Sequence, residues 1–351
     1  MRNSKVFSTF LLCWILITAV TVSALTEQET TATDLTAAAG RLLAALSPNQ
    51  RKQVQMDYAV PGRSGWHFIP KANRKGLSLR DMNAHQQKLA LELLQTALSQ
   101  SGYTKATIIM QLEKILATFE GKSSGRRHTR DPLRYYITIF GHPRAIDRWG
   151  LSFEGHHLSL NFVVEGDRIA ASTPQFLGAN PANVKGNYIA EVKKGTRVLR
   201  KEETLAFDLL HALSEDQKKM AIVATKAPAE IRHPGNPQPP QSESEGLAAM
   251  DMTEKQQTIL RQLLEEYLST MSHDIASARR QRLNEAGFEN IYFAWAGATK
   301  PHVGHYYRIQ GPTLIVEFVN TQPDSAGNPA NHIHCVWRNP SGDFALPTKA
   351  D

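Results

Sequence analysis

His332-Ile333-His334 carries the plainest chemistry in this chain. Residues two apart on a β-strand share a face, so both imidazoles project together. Paired imidazoles suit chelation of a transition metal such as zinc or copper. Residues 305–318, HYYRIQGPTLIVEF, supply further donors just upstream. Glu317 lies on the preceding strand, and the short loop 320–331 makes the two strands neighbours. A carboxylate there is a third ligand, a group that orients a histidine through its other nitrogen, or a general base. His305 heads the strand before that and is expected at the same end of the sheet. The competing reading is a polar strand surface, or buried histidines satisfied by carbonyls. A second pair, His156-His157, sits inside residues 149–162, WGLSFEGHHLSLNF. If a strand starts at the pair, alternation puts His156 with Leu158, Leu160 and Phe162 on the apolar face. His157 then joins Ser159 and Asn161 on the polar face and is the functional candidate, with Glu154 placed to set a tautomer.

Other residues bear on ligand binding. Trp66, Arg63 and Arg74 belong to an aromatic, basic segment that could close over a cleft and hold an anionic or sugar-like small molecule. Its competing reading is a loop pinned by aromatic packing. Arg308 and Arg338 are of the type that clamps a carboxylate or phosphate with two parallel hydrogen bonds, although strand-end arginines are more often solvated or ion-paired. Cys335 alternates to the face opposite His334 and reads as a small buried hydrophobe. The sequence has no nucleophile elbow, His-Glu-x-x-His helix, phosphate-binding P-loop or dinucleotide fingerprint. The formal charge is +7, from 40 basic and 33 acidic residues. The basic residues are scattered, and clustering rather than net charge marks a nucleic-acid binder, so nucleic acid is not an expected partner.

The elements that must hold these residues come in two similar sets. Residues 42–52, LLAALSPNQRK, match 209–219, LLHALSEDQKK, including the Ser-x-x-Gln capping box. Residues 76–99 match 246–269 without a gap through Gly, Leu, Asp-Met, Gln-Gln, Leu-Leu and Leu-Ser. Leu89, Leu93, Leu94 and Leu98 have the spacing of one helix face. Another helix follows in each half, then strands at 134–140 and 290–295, the 149–162 and 305–318 stretches, and closing strands at 168–173 and 332–338. Helices preceding strands within a unit indicate an α+β fold. The expectation is an internal duplication: several helices, then an antiparallel β-meander, twice, with the halves related by a pseudo-twofold. The boundaries read as 25–180 and 181–351, the two forming one compact domain. Aligned by strands, His156 and His157 correspond to Pro312 and Thr313, and the His332 and His334 positions have no histidine counterparts in the first half. Each half thus owns polar residues the other lacks, and one composite site between the halves would collect His157 with the downstream histidines.

The N-terminus reads as a targeting segment. Arg2 and Lys5 form a positive region, residues 6–22 are uncharged and largely apolar, and Val22-Ser23-Ala24 offers small residues for a signal peptidase. Cleavage after Ala24 would give a secreted or periplasmic protein with no stable membrane span; the competing reading is a retained anchor. Cleavage would also leave Cys335 as the single cysteine, without an internal disulfide.

Trp66-His67-Phe68-Ile69-Pro70, Asp81-Met82, the strand at 135–141, Gly155-His156-His157-Leu158, the run TPQFLGANP at 173–181, His305-Tyr306-Tyr307-Arg308 and residues 331–338 also form a recognisable set. Together they resemble a mostly exported family, the domain of unknown function numbered 3500. The resemblance spans nearly all of the chain after the targeting segment and implies no particular activity, so the chemistry rests on the residues. The expected metal ligands are His305, His332 and His334, holding zinc or copper. Glu317 is ligand or general base, and His157 and Arg308 polarise or anchor the substrate. Metal-assisted hydrolysis is favoured over metal-dependent oxidation. The alternative is a non-enzymatic protein that binds a small molecule or an envelope component, with structural histidines.

Overall fold

A computed structural model describes residues 30–121 and 130–348 of the chain. The targeting segment read at residues 1–24 lies outside the described residues. The described chain opens with helices α1 (Thr31–Ala45) and α2 (Pro48–Val54). The capping box forms as the sequence indicates: Ser47 accepts from the Gln50 N–H, Gln50 reaches back to the Ser47 N–H, and Pro48 occupies the first turn. Short strands β1 (Gln55–Met56) and β2 (Leu77–Ser78) follow. Helices α3 (Ala84–Ala97) and α4 (Gln100–Glu120) precede strands β3 (Tyr136–Phe140), β4 (Arg148–Gly155), β5 (Leu158–Glu165), β6 (Arg168–Ala171) and β7 (Gln175–Ala179). A similar order of elements then recurs. It runs through α5 (Arg200–Ala212), α6 (Glu215–Ala221), β8 (Ile222–Ala224), β9 (Leu247–Ala248), α7 (Glu254–Leu268) and α8 (His273–Glu285). Strands β10 (Tyr292–Gly297), β11 (His305–Gly311), β12 (Leu314–Gln322) and β13 (His332–Arg338) complete it.

All thirteen strands belong to one sheet, whose main path is β1-β3-β4-β5-β7-β13-β12-β11-β10-β8. The pairs β1·β3 and β8·β10 are parallel and the rest antiparallel, so the chain is α+β with a mostly antiparallel sheet. The closing strand expected at 168–173 is corrected by this topology. Its first four residues form β6, which pairs only with β5. A separate strand, β7, then lies between β5 and β13 and joins the two meanders. The Thr-Pro step at 173–174 hides β7 from periodicity, because proline punctuates a run that would otherwise read as continuous.

The sheet is buried on both faces. One carries Ile137, Leu151, Phe153, Leu160, Phe162, Ile309, Val316, Phe318 and Cys335 against the helices, in the main core. The other is covered by connecting loops. Trp66, Phe68 and Ile231 from those loops, with Phe344 from the segment after β13, pack on Phe176, Tyr306, Val319 and Val336 from the strands. This second, thinner core explains why the long connections at 57–76 and 225–246 are ordered. They roof a sheet face whose backbone and side chains need covering.

Matching contacts recur in the two helical sets. Gln50 and Gln86 exchange amide hydrogen bonds at 3.0 Å, and Gln217 and Gln256 do so at 3.0 and 2.8 Å. Gln50 also donates to the Asp81 carbonyl at 2.8 Å, and Gln217 to the Asp251 carbonyl at 2.9 Å.

Candidate metal centre

The β4–β5 hairpin turns on only two residues, His156 and His157. Gly155 must precede them, because a Cβ there would sit 2.2 Å from the Tyr135 ring. Tyr135 in turn donates its hydroxyl to the His156 carbonyl at 2.8 Å. His157 has φ +61°, the left-handed region that few non-glycine residues occupy. Two backbone hydrogen bonds of 2.8 Å clamp it there, from its N–H to the Phe68 carbonyl and from the Gly178 N–H to its carbonyl. Backbone held in such a conformation is most often found where a side chain must point one way for function. The ring lies against Gly178 of β7, where a Cβ would be 3.0 Å from the imidazole.

The strand register brings the other histidines to it. His334 of β13 pairs with Gly178 of β7 and Val319 of β12, so its side chain rises beside His157. His332, two residues earlier, shares that face. His157 Nε2 is 2.9 Å from His332 Nε2 and 3.2 Å from His334 Nε2. The three donor nitrogens all fall within 4.8 Å of one another. Tetrahedral zinc at Zn–N about 2.0–2.1 Å holds its nitrogens roughly 3.3 Å apart, so the cluster is close to the span a metal requires.

Proton bookkeeping separates this cluster from ordinary hydrogen bonding. His334 Nδ1 lies 2.7 and 2.9 Å from the two Glu230 carboxylate oxygens, which only accept. Its proton is therefore on Nδ1, and Nε2 presents a lone pair. His332 hydrogen-bonds the Pro323 carbonyl, with the Asn180 amide 3.4 Å from its Nδ1. With the His334 Nε2 lone pair turned toward His157, a proton shared between His157 and either neighbour leaves one of the three nitrogens unsatisfied, whereas a cation satisfies all three. Burial pulls His157 well below the usual histidine range, and the neighbouring histidines add to this. Burial likewise takes His332 down to about 2. Both are neutral at physiological pH, the state in which imidazole ligates metal.

His156 turns the other way. Its ring stacks on His157 at 3.8 Å, while Nδ1 meets a Glu113 carboxylate oxygen from α4 and lies 3.0 Å from Arg130 Nη1. The carboxylate can only accept, so Nδ1 carries the proton and the Arg130 contact is electrostatic. Arg130 is itself held by Glu120 at 2.8 and 2.9 Å. His156 and His332 both border a cleft of about 580 Å³, with Pro70, Phe119, Arg130, Asn180 and Asp324 among its other walls. The cluster is thus sealed by Phe68, whose ring centroid is 5.0 Å from that of His334, and approachable past His332.

The remaining sequence candidates lie elsewhere. His305 pairs with Asn320, which pairs with Ile333, so it faces the helices rather than His334. There it stacks 5.5 Å from Trp295 and faces Glu203 at 3.2 Å. The expectation that it joins His332 and His334 as a ligand is corrected by this register. Glu317 shares the His334 face but accepts from the Tyr306 hydroxyl at 2.7 Å and the Arg232 N–H at 3.0 Å. Arg308 pairs with Glu245 at 2.7 Å. Trp66 is fully buried and donates to the Asn236 carbonyl at 2.7 Å, so no ring face is left for a ligand. Arg63 donates to the Phe344 carbonyl at 3.0 Å, Arg74 to the His67 carbonyl at 2.7 Å, and Arg338 pairs with Asp343 at 2.6 Å. These residues fasten loops. Glu154 is taken by Lys75 at 2.7 Å. Cys335 is buried on the helix-facing side, as alternation indicates.

Sequence reasoning did not single out Glu113, Arg130 or Glu230. Glu113 sits mid-helix and Glu230 in a proline-rich loop, and no local pattern separates them from solvated acids. No curated protein and no solved structure matches the chain. A family model described as a protein of unknown function (DUF3500) matches residues 28–346. The motifs that carried the resemblance include the Gly155-His156-His157-Leu158 turn and the β13 histidines, which meet in this cluster, and the chain belongs to the DUF3500 family.

Proposed function

We propose that His157, His332 and His334 bind one divalent transition metal, zinc first and copper as the other fitting ion, and that the metal activates water for hydrolysis in the adjoining cleft. The observation that carries this is the convergence of three Nε2 atoms, one of them bared by the Glu230 contact to His334 Nδ1. Three protein ligands leave a fourth position, the pattern of catalytic rather than structural zinc sites. His332 borders the cleft, which gives water and substrate a route to that position. Zinc lowers a bound water to a pKa of about 7. Glu230 holds His334 in the ligating tautomer. His156, anchored through Nδ1 by Glu113, keeps Nε2 for proton transfer at the cleft wall. This assigns the acid–base role to His156 rather than Glu317.

The proposal extends to the chain's organisation. The halves 25–180 and 181–351 are copies about a pseudo-twofold that passes between β7 and β13. The mirrored strand order and the paired glutamine exchanges support this. The metal then ties one half to the other, since His157 comes from the first and His332 and His334 from the second. Export with cleavage after Ala24 rests on the N-terminal sequence alone.

Cobalt(II) titration of the metal-free protein tests the centre. A four-coordinate site gives intense visible ligand-field bands that saturate at one equivalent and are absent in His332→Ala. Only the weak bands of aqueous, six-coordinate cobalt would overturn the proposal.

A further inference from the structure

We propose a second site, independent of the histidine cluster: an oxyanion site built on Arg279, in the cleft where α8 meets the segment between β6 and β7. Arg279 occupies a core position. It falls between Ile275 and Leu283 on the buried stripe of α8, four residues from each, where an apolar residue is expected. The side chain is only 5% exposed.

A buried charge is normally paired, because an unpaired one carries a large desolvation penalty. The chain follows that rule at two other buried arginines, while Arg63 rests on the Phe344 carbonyl and the Tyr58 ring. Arg338 meets Asp343 at 2.6 Å and Arg308 meets Glu245 at 2.7 Å. Arg279 has no acid within ion-pair distance among the described residues. Its contacts are neutral: the Ser172 carbonyl and hydroxyl at 2.7 and 2.8 Å, and the Gln175 side-chain oxygen at 2.7 Å. These fix the guanidinium plane without a contacting carboxylate, and Asp343 acts on the charge only from beyond ion-pair distance. Burial pulls the group down to about 9, still cationic at neutral pH.

The geometry supplies the missing partner's place. Arg279 lines a cleft of about 230 Å³ with Arg282, Thr173, Thr313, Asn339 and Ser341, a second cation and four side chains able to hydrogen-bond. Trp337, whose ring lies 4.9 Å from the Arg279 guanidinium carbon, forms an apolar wall. The space is below the roughly 300–1,000 Å³ of pockets for drug-sized ligands. It fits a small oxyanion, a carboxylate with a short apolar body or a phosphate, held by the one remaining Arg279 Nη1–H together with the Arg282 guanidinium. The walls come from the β6–β7 segment, α8, the β11–β12 turn and the chain after β13. Occupancy would therefore brace the two meanders and α8 together.

Calorimetric titration with sodium butyrate and with sodium phosphate, at ionic strength matched with sodium chloride, tests the site. Saturable binding of one equivalent of either anion is expected, and the tighter of the two identifies the headgroup. Arg279→Met weakens it about tenfold or more, the scale of losing a charged hydrogen-bond partner. Ala171→Asp, which supplies an internal carboxylate at the cleft wall, abolishes it and keeps the proposal testable if Arg279→Met does not fold. His332→Ala retains it, which separates this site from anion binding at the metal. No saturable binding to the wild type, or undiminished binding to Ala171→Asp, would overturn the proposal.

Discussion

At the scale of single residues, the cluster depends on which nitrogen of each imidazole carries a proton. Glu230 decides this for His334. Removing the charge from Glu230 while keeping its shape should weaken metal binding without unfolding the chain. Glu230→Gln is expected to lower zinc affinity about 10- to 100-fold, the usual cost of losing a partner that orients a ligand. Competition with a chromogenic chelator measures it, and unchanged affinity would remove Glu230 from the site. The histidines were legible because adjacent imidazoles in one stretch and alternate imidazoles in another are uncommon patterns. His157 reads from the sequence as a substrate-polarising residue on an assumed strand, whereas the structure sets it in the turn beside His332 and His334. Alternation assumed a strand, whereas His156 and His157 together form the turn. What separates them is that His157 adopts a left-handed φ and His156 is engaged by Glu113. Glu113, Arg130 and Glu230 were not legible, since each reaches the site from an element remote in sequence.

At the scale of elements, the site is a product of register. A strand shifted by one residue presents its opposite face. The β7·β13 pairing sets His334 over Gly178, whose missing side chain makes room for the His157 ring. Gly178→Ala would place a methyl 3.0 Å from both that ring and the Ile333 carbonyl. The ring can yield by a few tenths of an ångström only by leaving its position over β13. The expected outcome is a folded protein with weakened metal binding, read by circular dichroism together with chelator competition. Full affinity would show that the ring's seat on β7 does not matter. Helices, capping boxes and most strands were readable from spacing, because local chemistry fixes them. The misassignment of His305 was also one of register. Being at the same end of a sheet says nothing about face, and the β11·β12 pairing puts His305 among Trp295, Phe207 and Phe318.

At the scale of the whole molecule, buried neutral histidines tie stability to pH. His157 and His332 have folded values depressed below the roughly 6.5 of an exposed histidine. The unfolded chain therefore binds more protons below that value, and stability is lost as pH falls from about 6.5 toward about 2, where His332 titrates. Each such histidine contributes a slope of up to about 1.4 kcal/mol per pH unit in that window. Urea unfolding of the metal-free protein should show this acid-side loss, flattened in the His332→Gln variant. Equal slopes would mean that His332 is already protonated in the fold. A bound metal opposes the same loss, adding about 2.7 kcal/mol at a free concentration a hundred times its Kd. The central claim is that the three histidines hold an ion, and elemental analysis of the purified protein, expressed through an export route, tests it most directly. One equivalent of zinc or copper per chain, lost in His332→Ala and in His334→Ala with the fold retained, is the predicted result. A metal-free wild type that takes up no ion on dialysis against zinc or copper would contradict it.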